Sequence, residues 1–202
     1  MSSNLEGVTT FESRGSRRPI DGDLLHRLER LESLDEIRQL VSRYGVLLDK
    51  RDIDALVELF IEDVRVSRTE RGKPALRALL EHLLRQFTTS IHFIGNHTID
   101  FLDDDHAEGL VYSRVEHEYG EQWIVMAIQY WDRYERVDRR WRFTARQVRH
   151  WYAVDHLDRP TGPDKTRWSV TGPATIPDVY DTWHAFWSGA DGNAGVPSRP
   201  GP

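Results

Sequence analysis

The stretch HAEGLVYSRVEHEYGEQWIVMAIQYWDRYERVDRRWRFTARQVRHWYAV, residues 106–154, decides the fold. Apolar and polar side chains alternate along most of it, which is the period of a strand with one buried face. Turn-forming pairs at 120–121 and 138–139 interrupt the alternation. The pattern predicts three long strands, close to 107–119, 122–137 and 140–152, that pair as an antiparallel meander.

A further strand precedes this meander and ends in the acidic turn at 103–105. Its apolar members alternate with polar ones, so the simple alternation places them on opposite faces of the strand. The apolar set is Ile91, Phe93, Ile99 and Phe101, and the polar set is His92, Asn96, Thr98 and Asp100.

Three helices are predicted ahead of the sheet. Residues 23–48 repeat apolar side chains every three or four positions, as a long amphipathic helix does. Asp52 is suited to cap a short second helix, and residues 73–74 open a third. A short strand is expected at 64–67. Helices followed by a meander indicate an α+β domain with the helices packed on one face of a curved antiparallel sheet.

The chain of 202 residues fits one domain with some extra length. Both ends are low in apolar residues, and the Pro, Gly, Asp and Thr content rises after Val154. We therefore expect a disordered tail, a domain, a closing segment and a second disordered tail, at 1–21, 22–157, 158–188 and 189–202.

Composition excludes several classes of function. The absence of Cys rules out disulfides, thiolate metal sites and a Cys nucleophile, and fits a reducing compartment. A net charge of -6 disfavours nucleic-acid binding. No apolar run approaches the ~20 residues that span a bilayer, and the first residues lack the apolar region of a secretory signal. These features predict a soluble, cytoplasmic protein without a nucleic-acid or membrane partner.

The motifs of the sequence predict acid–base chemistry that uses neither a cofactor nor a metal. The sequence has no phosphate-binding Gly-rich loop, dinucleotide fingerprint, Ser elbow or His-Glu-x-x-His helix. Asp49 stands at the end of the first predicted helix, where the helix dipole and apolar neighbours would raise the pKa of its carboxyl. It either helps to cap the next helix at the surface or orients a histidine.

Three histidines are candidates for chemistry, each with a structural alternative. His92 is either a satisfied strand residue or a functional one. His97 has the opposite parity and cannot share a face with His92 unless Gly95 marks a bulge. His117 continues an apolar parity, so it either finds a buried partner or serves a pocket.

Residues that could contact a substrate are less specific. Arg146 is either a pocket cation or, as base rates favour, a surface residue. Six aromatic residues belong to the core or stack on a bound ring: Tyr44, Tyr112, Trp123, Tyr130, Trp131 and Trp151. The candidate substrate contacts are Trp123, Arg146, Asn96 and Phe60.

Several ordered pieces of sequence resemble the SnoaL-like (nuclear-transport-factor-2-like) family over residues 24–157. They are Arg43-Tyr44-x-x-x-x-Asp49-Lys50-Arg51-Asp52, the run Ser90 to Asn96, Tyr134-Glu135-Arg136 and Trp141-Arg142-Phe143. The resemblance implies a cone-shaped, cystatin-like α+β barrel. The family includes scytalone dehydratase, bile-acid 7α-dehydratase, hexachlorocyclohexane dehydrochlorinase, polyketide cyclases and relatives of ketosteroid isomerase.

The resemblance also implies a chemistry. In the dehydratases and the dehydrochlorinase, an Asp at the end of the first helix orients a His that abstracts a proton, and Asp49 and His92 fall on those positions. Tyr44 matches an assisting Tyr of the bile-acid dehydratase, and His117 or Glu116 stands where a further group is expected. The implied function is a lyase-type elimination on a small cyclic apolar compound, such as a steroid, polyketide or aromatic-pathway intermediate.

Other functions remain open at this point. An isomerase, cyclase or epoxide hydrolase could use the same pocket, and the last would need a second carboxylate from Asp100, Asp132 or Glu116. A binding module like the small subunits of ring-hydroxylating dioxygenases is a further alternative. Metal chemistry could use the four histidines His92, His97, His117 and His150. An open sheet face carrying Trp123, Trp131 or Tyr130 would suit a homodimer or homotrimer.

Overall fold

A computed structural model describes residues 21–162 and 164–188. Three helices come first, α1 (Asp21–Lys50), α2 (Ile53–Val57) and α3 (Gly72–Leu84), and a last helix α4 (Asp181–Ser188) closes the described chain. Between them lie the strands β1 (Thr89–Phe101), β2 (His106–Tyr119), β3 (Gln122–Val137) and β4 (Arg140–Asp155). The predicted cone-shaped α+β fold is confirmed, with one antiparallel sheet in the order β1-β2-β3-β4.

The three predicted N-terminal helices are present. The Asp52 side chain caps α2 by accepting a hydrogen bond from the Ala55 N–H at 3.1 Å. The prediction of a strand at 64–67 is wrong, because this segment forms only an isolated bridge between Arg65 and Arg71. The amides of Val66 and Ser67 both donate to the Glu70 carbonyl, so the backbone turns back on itself instead of joining the sheet.

The apolar stripe of α1 is buried only in its second half. Ile37 and Val41 are fully buried against the sheet, whereas Leu24, Leu28 and Leu31 are 51–63% exposed. The periodicity correctly predicts the helix, but its first turns extend past the sheet, where no described element covers these three leucines.

A bulge in β1 reverses part of the predicted alternation. Pairing with β2 shifts between Ile94 and His97, which leaves Gly95 and its neighbour opposite one residue of β2. His92 and His97 therefore share the inner face, the side that packs on α1. The prediction that Ile91 and Phe93 lie on the same face as Ile99 is wrong. Ile91 and Phe93 are 36% and 54% exposed on the outer face.

The registers of β2, β3 and β4 define rows of side chains across the inner face. One row contains His92, Val115, Met126 and Ala153. His117 belongs to the next row toward the β2–β3 turn, and Asp132 pairs with Arg146 three rows in the other direction. The hairpin between β3 and β4 turns through Asp138 and Arg139, whose φ values of 51° and 62° suit a two-residue turn.

The segment after β4 contacts both faces of the sheet. Residues 165–167 pair with Ala153, and Trp168 enters the core of the inner face. Further on, Tyr180 stacks on Trp131 at the outer face, with ring centroids 6.3 Å apart. Tyr130 was expected as a candidate on an open sheet face suited to assembly, but it lies on the inner face and is 3% exposed.

Two other expectations concern the ends of the chain and membranes. The predicted disordered tails fall outside the described residues, apart from Asp21, at which α1 begins. Among the described helices, none combines the length and apolar character needed to cross a bilayer.

Candidate active site

Asp49 and His92 form a hydrogen-bonded acid–base pair where α1 ends beside β1. Asp49 Oδ1 lies 2.7 Å from His92 Nδ1, and Asp49 Oδ2 accepts the His92 backbone N–H at 2.9 Å. Ser90 Oγ donates to Asp49 Oδ1 at 3.0 Å. Gly45 permits this approach, because a Cβ there would stand 3.2 Å from His92 Cβ. The structure thus brings together the two residues predicted to form a dyad.

The electrostatics keep Asp49 ionised. Burial alone would raise the pKa of Asp49, but hydrogen bonds from the His92 side chain and backbone and from Ser90 outweigh it and hold that pKa below its usual value. The expectation that apolar neighbours raise the pKa of Asp49 is therefore wrong. Because an ionised carboxylate only accepts, His92 Nδ1 must carry the hydrogen, and in the neutral form of the ring Nε2 then presents a lone pair.

Arg51 fixes the loop beneath this pair, a role the sequence did not indicate. Its guanidinium donates to the Leu48 carbonyl at 2.8 Å and to Ser90 Oγ at 2.6 Å, and it reaches the Phe87 carbonyl at 3.3 Å. Arg51 has a φ of 59°, in the left-handed region that allows α1 to end sharply. The side chain thereby ties the end of α1 to the start of β1.

His117 stands next to the pair as a neutral ring. Its centroid lies 6.1 Å from that of His92, 4.1 Å from Phe87 and 5.2 Å from Trp168. Burial lowers the pKa of His117 to about 3, with His92 and Arg51 adding to the effect. Its Nδ1 is buried and has no hydrogen-bond partner among the described residues. The reading of His117 as a satisfied core histidine therefore does not fit.

A second charged pair lies deeper in the interior. Arg146 binds Asp132 through two hydrogen bonds, from Nε at 2.7 Å and from Nη2 at 2.6 Å. The Arg146 and Asp132 side chains are 4% and 0% exposed, so the inclination to place Arg146 on the surface is wrong. A register shift between Arg133 and Tyr134 turns Arg146 inward.

Aromatic rings surround this deeper pair. The Arg146 guanidinium lies 4.1 Å from the ring centroids of Tyr44 and Tyr130 and 4.3 Å from that of Phe143. Burial would lower the pKa of Arg146, but Asp132 outweighs it and raises that pKa. Burial also raises the pKa of Tyr44, so its hydroxyl stays protonated. Arg146 Nη1 has no partner among the described residues.

The deeper pair continues into a hydrogen-bonded chain. The Tyr134 hydroxyl donates to Asp132 Oδ2 at 2.8 Å and lies 3.2 Å from His97 Nε2. Gly109 leaves the room for this contact, because a Cβ there would come within 2.9 Å of the Tyr134 hydroxyl and 3.0 Å of His97 Nε2. Burial lowers the pKa of His97 to about 4, so this ring is neutral as well.

The predicted site residues divide into three groups. Asp49, His92 and His117 meet at one end of the inner face. Tyr44, Phe60 and Arg146 gather around Phe143 and Tyr130, where the rings of Phe60 and Phe143 are 5.0 Å apart. Trp123 and Asn96 do not join either group.

Trp123 and Asn96 are excluded from the interior by strand geometry. Trp123 has the outward parity of β3, and its Nε1 donates to Glu116 Oε2 at 2.7 Å. Glu116 therefore also faces outward and does not complete the site. Asn96 is exposed in the β1 bulge.

The remaining carboxylates and histidines bear on the alternatives. Of the three carboxylates considered as a second acid, Asp132 faces the interior and is bound by Arg146, while Asp100 and Glu116 face outward. His92, His97, His117 and His150 occupy four different rows of the inner face. Within 21–162 and 164–188, no three His, Cys, Asp or Glu side chains converge to hold a metal ion.

Grooves of about 940 and 1030 Å³ open on the surface. The first runs between α1 and the β3–β4 hairpin, and the second crosses the sheet near Trp131 and Tyr180, with Asp132 and Arg146 in its lining. Neither is lined by Asp49 or His92. The acid–base geometry, and not the volume of a groove, locates the candidate site.

Comparison with known proteins assigns the chain to a family. The SnoaL-like domain family matches residues 29–147, and the chain belongs to that family. A candidate scytalone dehydratase from Novosphingobium aromaticivorans is similar at 26% identity, covering 65% of this chain and 92% of its own, with a TM-score of 0.57. Comparison with curated protein sequences gave no match.

Further solved structures are similar. LinA matches at 25% identity, covering 68% of this chain and 98% of its own, with a TM-score of 0.60. A related structure of LinA is described as a hexachlorocyclohexane dehydrochlorinase. An NTF2-like protein with a cystatin-like fold from Novosphingobium aromaticivorans matches at 30% identity, covering 64% and 88% of the two chains, with a TM-score of 0.51. At the level of the family, the similarity to the candidate scytalone dehydratase and to LinA supports a lyase-type or related enzyme.

Proposed function

We propose that this protein is a cofactor-independent lyase that carries out dehydration or a related β-elimination on a small cyclic compound. The observation that carries the proposal is the 2.7 Å contact between Asp49 Oδ1 and His92 Nδ1. A histidine held in this tautomer by a carboxylate has the form of a general base. Similarity to a candidate scytalone dehydratase supports the same class of reaction.

The proposed reaction begins with proton transfer to His92. Nε2 takes a proton from the carbon next to the one that bears the leaving group, while Asp49 stabilises the imidazolium that forms. The electrons of the broken C–H bond form the double bond as the leaving group departs. For dehydration, the imidazolium returns its proton to the departing hydroxyl, so that water is released and His92 is regenerated.

His117 contributes hydrogen bonding in this proposal. Because the pKa of His117 is about 3, its ring is neutral at pH 7 and has no imidazolium proton to donate as an acid. A neutral imidazole still has one N–H donor and one acceptor nitrogen, which suits contact with a leaving hydroxyl. His92 is then the group that carries charge during turnover.

In this proposal the groups around the deeper pair contact the part of the substrate that is remote from His92. Arg146 Nη1 is buried without a partner among the described residues, and Tyr44 beside it keeps its hydroxyl proton. Val115, Met126 and Ile128 present apolar side chains on the inner face between the two pairs. These groups favour a ring compound that is mainly apolar and carries a polar atom at the Arg146 end.

The test is turnover of cyclic β-hydroxyketones with one or two fused rings, followed by the absorbance of the conjugated product. His92→Asn keeps a donor near the position of Nδ1 but removes Nε2, so turnover should fall about 10²- to 10⁴-fold. The matched control is His106→Asn, since His106 Nδ1 also contacts an aspartate, Asp103 Oδ1, at 2.9 Å but on the exposed turn. Equal turnover by wild type and His92→Asn would refute the proposed base.

Proton transfer without elimination is the nearest alternative, because the same dyad would serve an isomerase. Mass spectrometry of the product separates the two, since elimination removes the leaving group and isomerisation conserves mass. If the protein is a non-catalytic binding module, neither the wild type nor His92→Asn converts any of the cyclic β-hydroxyketones.

Self-association is proposed separately. Ile91, Phe93 and Tyr112 form an apolar group on the outer face of β1 and β2, with exposures of 36%, 54% and 39%. Burying this group against a second copy would give a homodimer or homotrimer. Sedimentation equilibrium of wild type beside Phe93→Glu checks this proposal, and a monomeric wild type would contradict it.

A further inference from the structure

Two buried nitrogen atoms near the dyad have no protein partner. They are His117 Nδ1 and Trp168 Nε1, and neither forms a hydrogen bond to any described residue. Their rings are neighbours, with centroids 5.2 Å apart, and the two residues are 6% and 5% exposed. His117 in turn has its centroid 6.1 Å from that of His92. The His117 ring therefore neighbours both the Trp168 indole and the proposed base.

The position of Trp168 is fixed by the chain around it. The Ala153 amide donates to the Lys165 carbonyl at 3.0 Å, and the Arg167 amide donates to the Ala153 carbonyl at 2.8 Å. The Arg167 guanidinium holds the same segment by contacts with Asp158, Arg159 and Thr161. Phe87 and Tyr119 flank the indole, with centroids 6.0 and 5.6 Å away.

Unpaired polar atoms in a buried site are costly unless a ligand or an ordered water satisfies them. An indole N–H can only donate, and a neutral imidazole has one donor and one acceptor. A ring-borne oxygen complements this set, because a hydroxyl both accepts and donates and a carbonyl accepts. A carbon-bound halogen is a much weaker acceptor and would leave the indole N–H unsatisfied.

We propose that Trp168 and His117 form a subsite for a substrate oxygen, which makes Trp168 a specificity-determining residue. The substrate class is then a cyclic compound that carries a hydroxyl or carbonyl oxygen next to the reacting carbon, and not a halogenated hydrocarbon. This inference rests on the proposed function, because it takes the space beside His92 to be the substrate site.

Binding of 2-naphthol and naphthalene tests the subsite, since the two probes differ by one hydroxyl. The measured quantity is the ratio of the naphthalene Kd to the 2-naphthol Kd. Trp168→Phe keeps an aromatic ring and removes the N–H, and should lower this ratio about 10-fold. Trp123→Phe is the matched control, because Trp123 bonds Glu116 on the outer face, and it should leave the ratio unchanged.

Indole proton resonances of the wild type give a readout that needs no stable variant. 2-Naphthol should shift the Trp168 indole proton downfield by forming a hydrogen bond, and naphthalene should not. An unchanged ratio in Trp168→Phe, an unshifted indole proton, or no binding of 2-naphthol to the wild type would each overturn the subsite. These outcomes are separate from the proposed elimination, since the probes bear no leaving group and neither readout requires turnover.

Discussion

The interior holds two pairs in which a carboxylate binds a basic side chain, and they differ in how completely their hydrogen-bonding groups are satisfied. Asp132 and Arg146 are 0% and 4% exposed and share two hydrogen bonds, with Tyr134 binding the carboxylate as well. Asp49 is 27% exposed, and its partner His92 keeps Nε2 outside the pair. One pair uses most of its hydrogen-bonding capacity on the protein, and the other presents a basic nitrogen.

This difference separates a structural role from a chemical one. A buried ion pair whose partner is removed leaves an uncompensated charge, and stability suffers. A pair at the edge of the core loses less stability when it is broken, but the state of its histidine decides whether a proton can be taken. Mutations in the two pairs should therefore have opposite signatures in turnover and in unfolding.

The largest effect is expected for Asp49→Asn on turnover. The amide can donate to His92 Nδ1, which reverses the tautomer and places the hydrogen on Nε2. Turnover should fall by roughly 10⁴-fold, as in other carboxylate–histidine pairs where the tautomer is inverted. Nitrogen-15 shifts of His92 would report the tautomer directly. A variant that retains both the wild-type tautomer and the wild-type rate would contradict the role of Asp49.

Asp132→Asn should have the largest effect on stability. Arg146 would remain buried without a counter-charge, which costs about 3–5 kcal/mol of the free energy of unfolding. Urea denaturation measures this cost, with Asp49→Asn as the matched variant in the other pair. Asp49→Asn should cost only about 1 kcal/mol, since its carboxylate is partly exposed. Similar losses in the two variants would remove the distinction between the pairs.

Gly109→Ala should disturb the deeper pair through Tyr134 and His97. The new methyl group would approach the Tyr134 ring and hydroxyl at 2.9 Å, and Tyr134 is 1% exposed and cannot move aside. Overpacking of this kind costs about 1–3 kcal/mol. Gly172→Ala is the control, because its Cβ would meet nothing within 4 Å. Thermal unfolding of both variants checks the prediction, and equal melting temperatures would contradict it.

The pH dependence of stability should expose His117. Its pKa is about 3 in the folded protein against an ordinary 6.5, so between these values the unfolded chain binds a proton that the folded one does not. Stability is therefore lost as the pH falls from 6.5 toward 3, at up to about 1.4 kcal/mol per pH unit from this group. His117→Asn should reduce the slope of unfolding free energy against pH. An unchanged slope would show that His117 is solvated.

Much of the fold could be predicted because its patterns are local. The period of α1, the cap at Asp52 and the turns at 120–121 and 138–139 depend on residues close together in the chain. The segment at 64–67 was misassigned as a strand, because its backbone pairs with Glu70 and not with the sheet. The exposure of Leu24, Leu28 and Leu31 could not be predicted either, since a periodic stripe does not show where its partner surface ends.

The candidate site was predicted in part. Asp49 and His92 could be named from the resemblance to the SnoaL-like family, although their contact joins residues on different elements. Asn96 was misplaced because it lies in the β1 bulge, and Trp123 was misplaced because the alternation along β3 does not show which of its faces is the inner one. Arg51 and Trp168 were missed as site residues. The sequence predicted a closing segment at 158–188 that contains Trp168, but nothing indicated which residue of this segment enters the core.

The sequence by itself determined the order of the elements and most of their types, because periodicity is written along the chain, and its resemblance to the SnoaL-like family implied the acid–base pair. Only the tertiary structure decided which polar residues face the interior and which nitrogens stay unpaired. Register shifts at Ile94/His97 and Arg133/Tyr134 turned His97 and Arg146 inward, and the segment after β4 carried Trp168 to His117. The physical reason is that a bulge of one residue reverses a strand's faces, while its position is set by packing between strands distant in sequence.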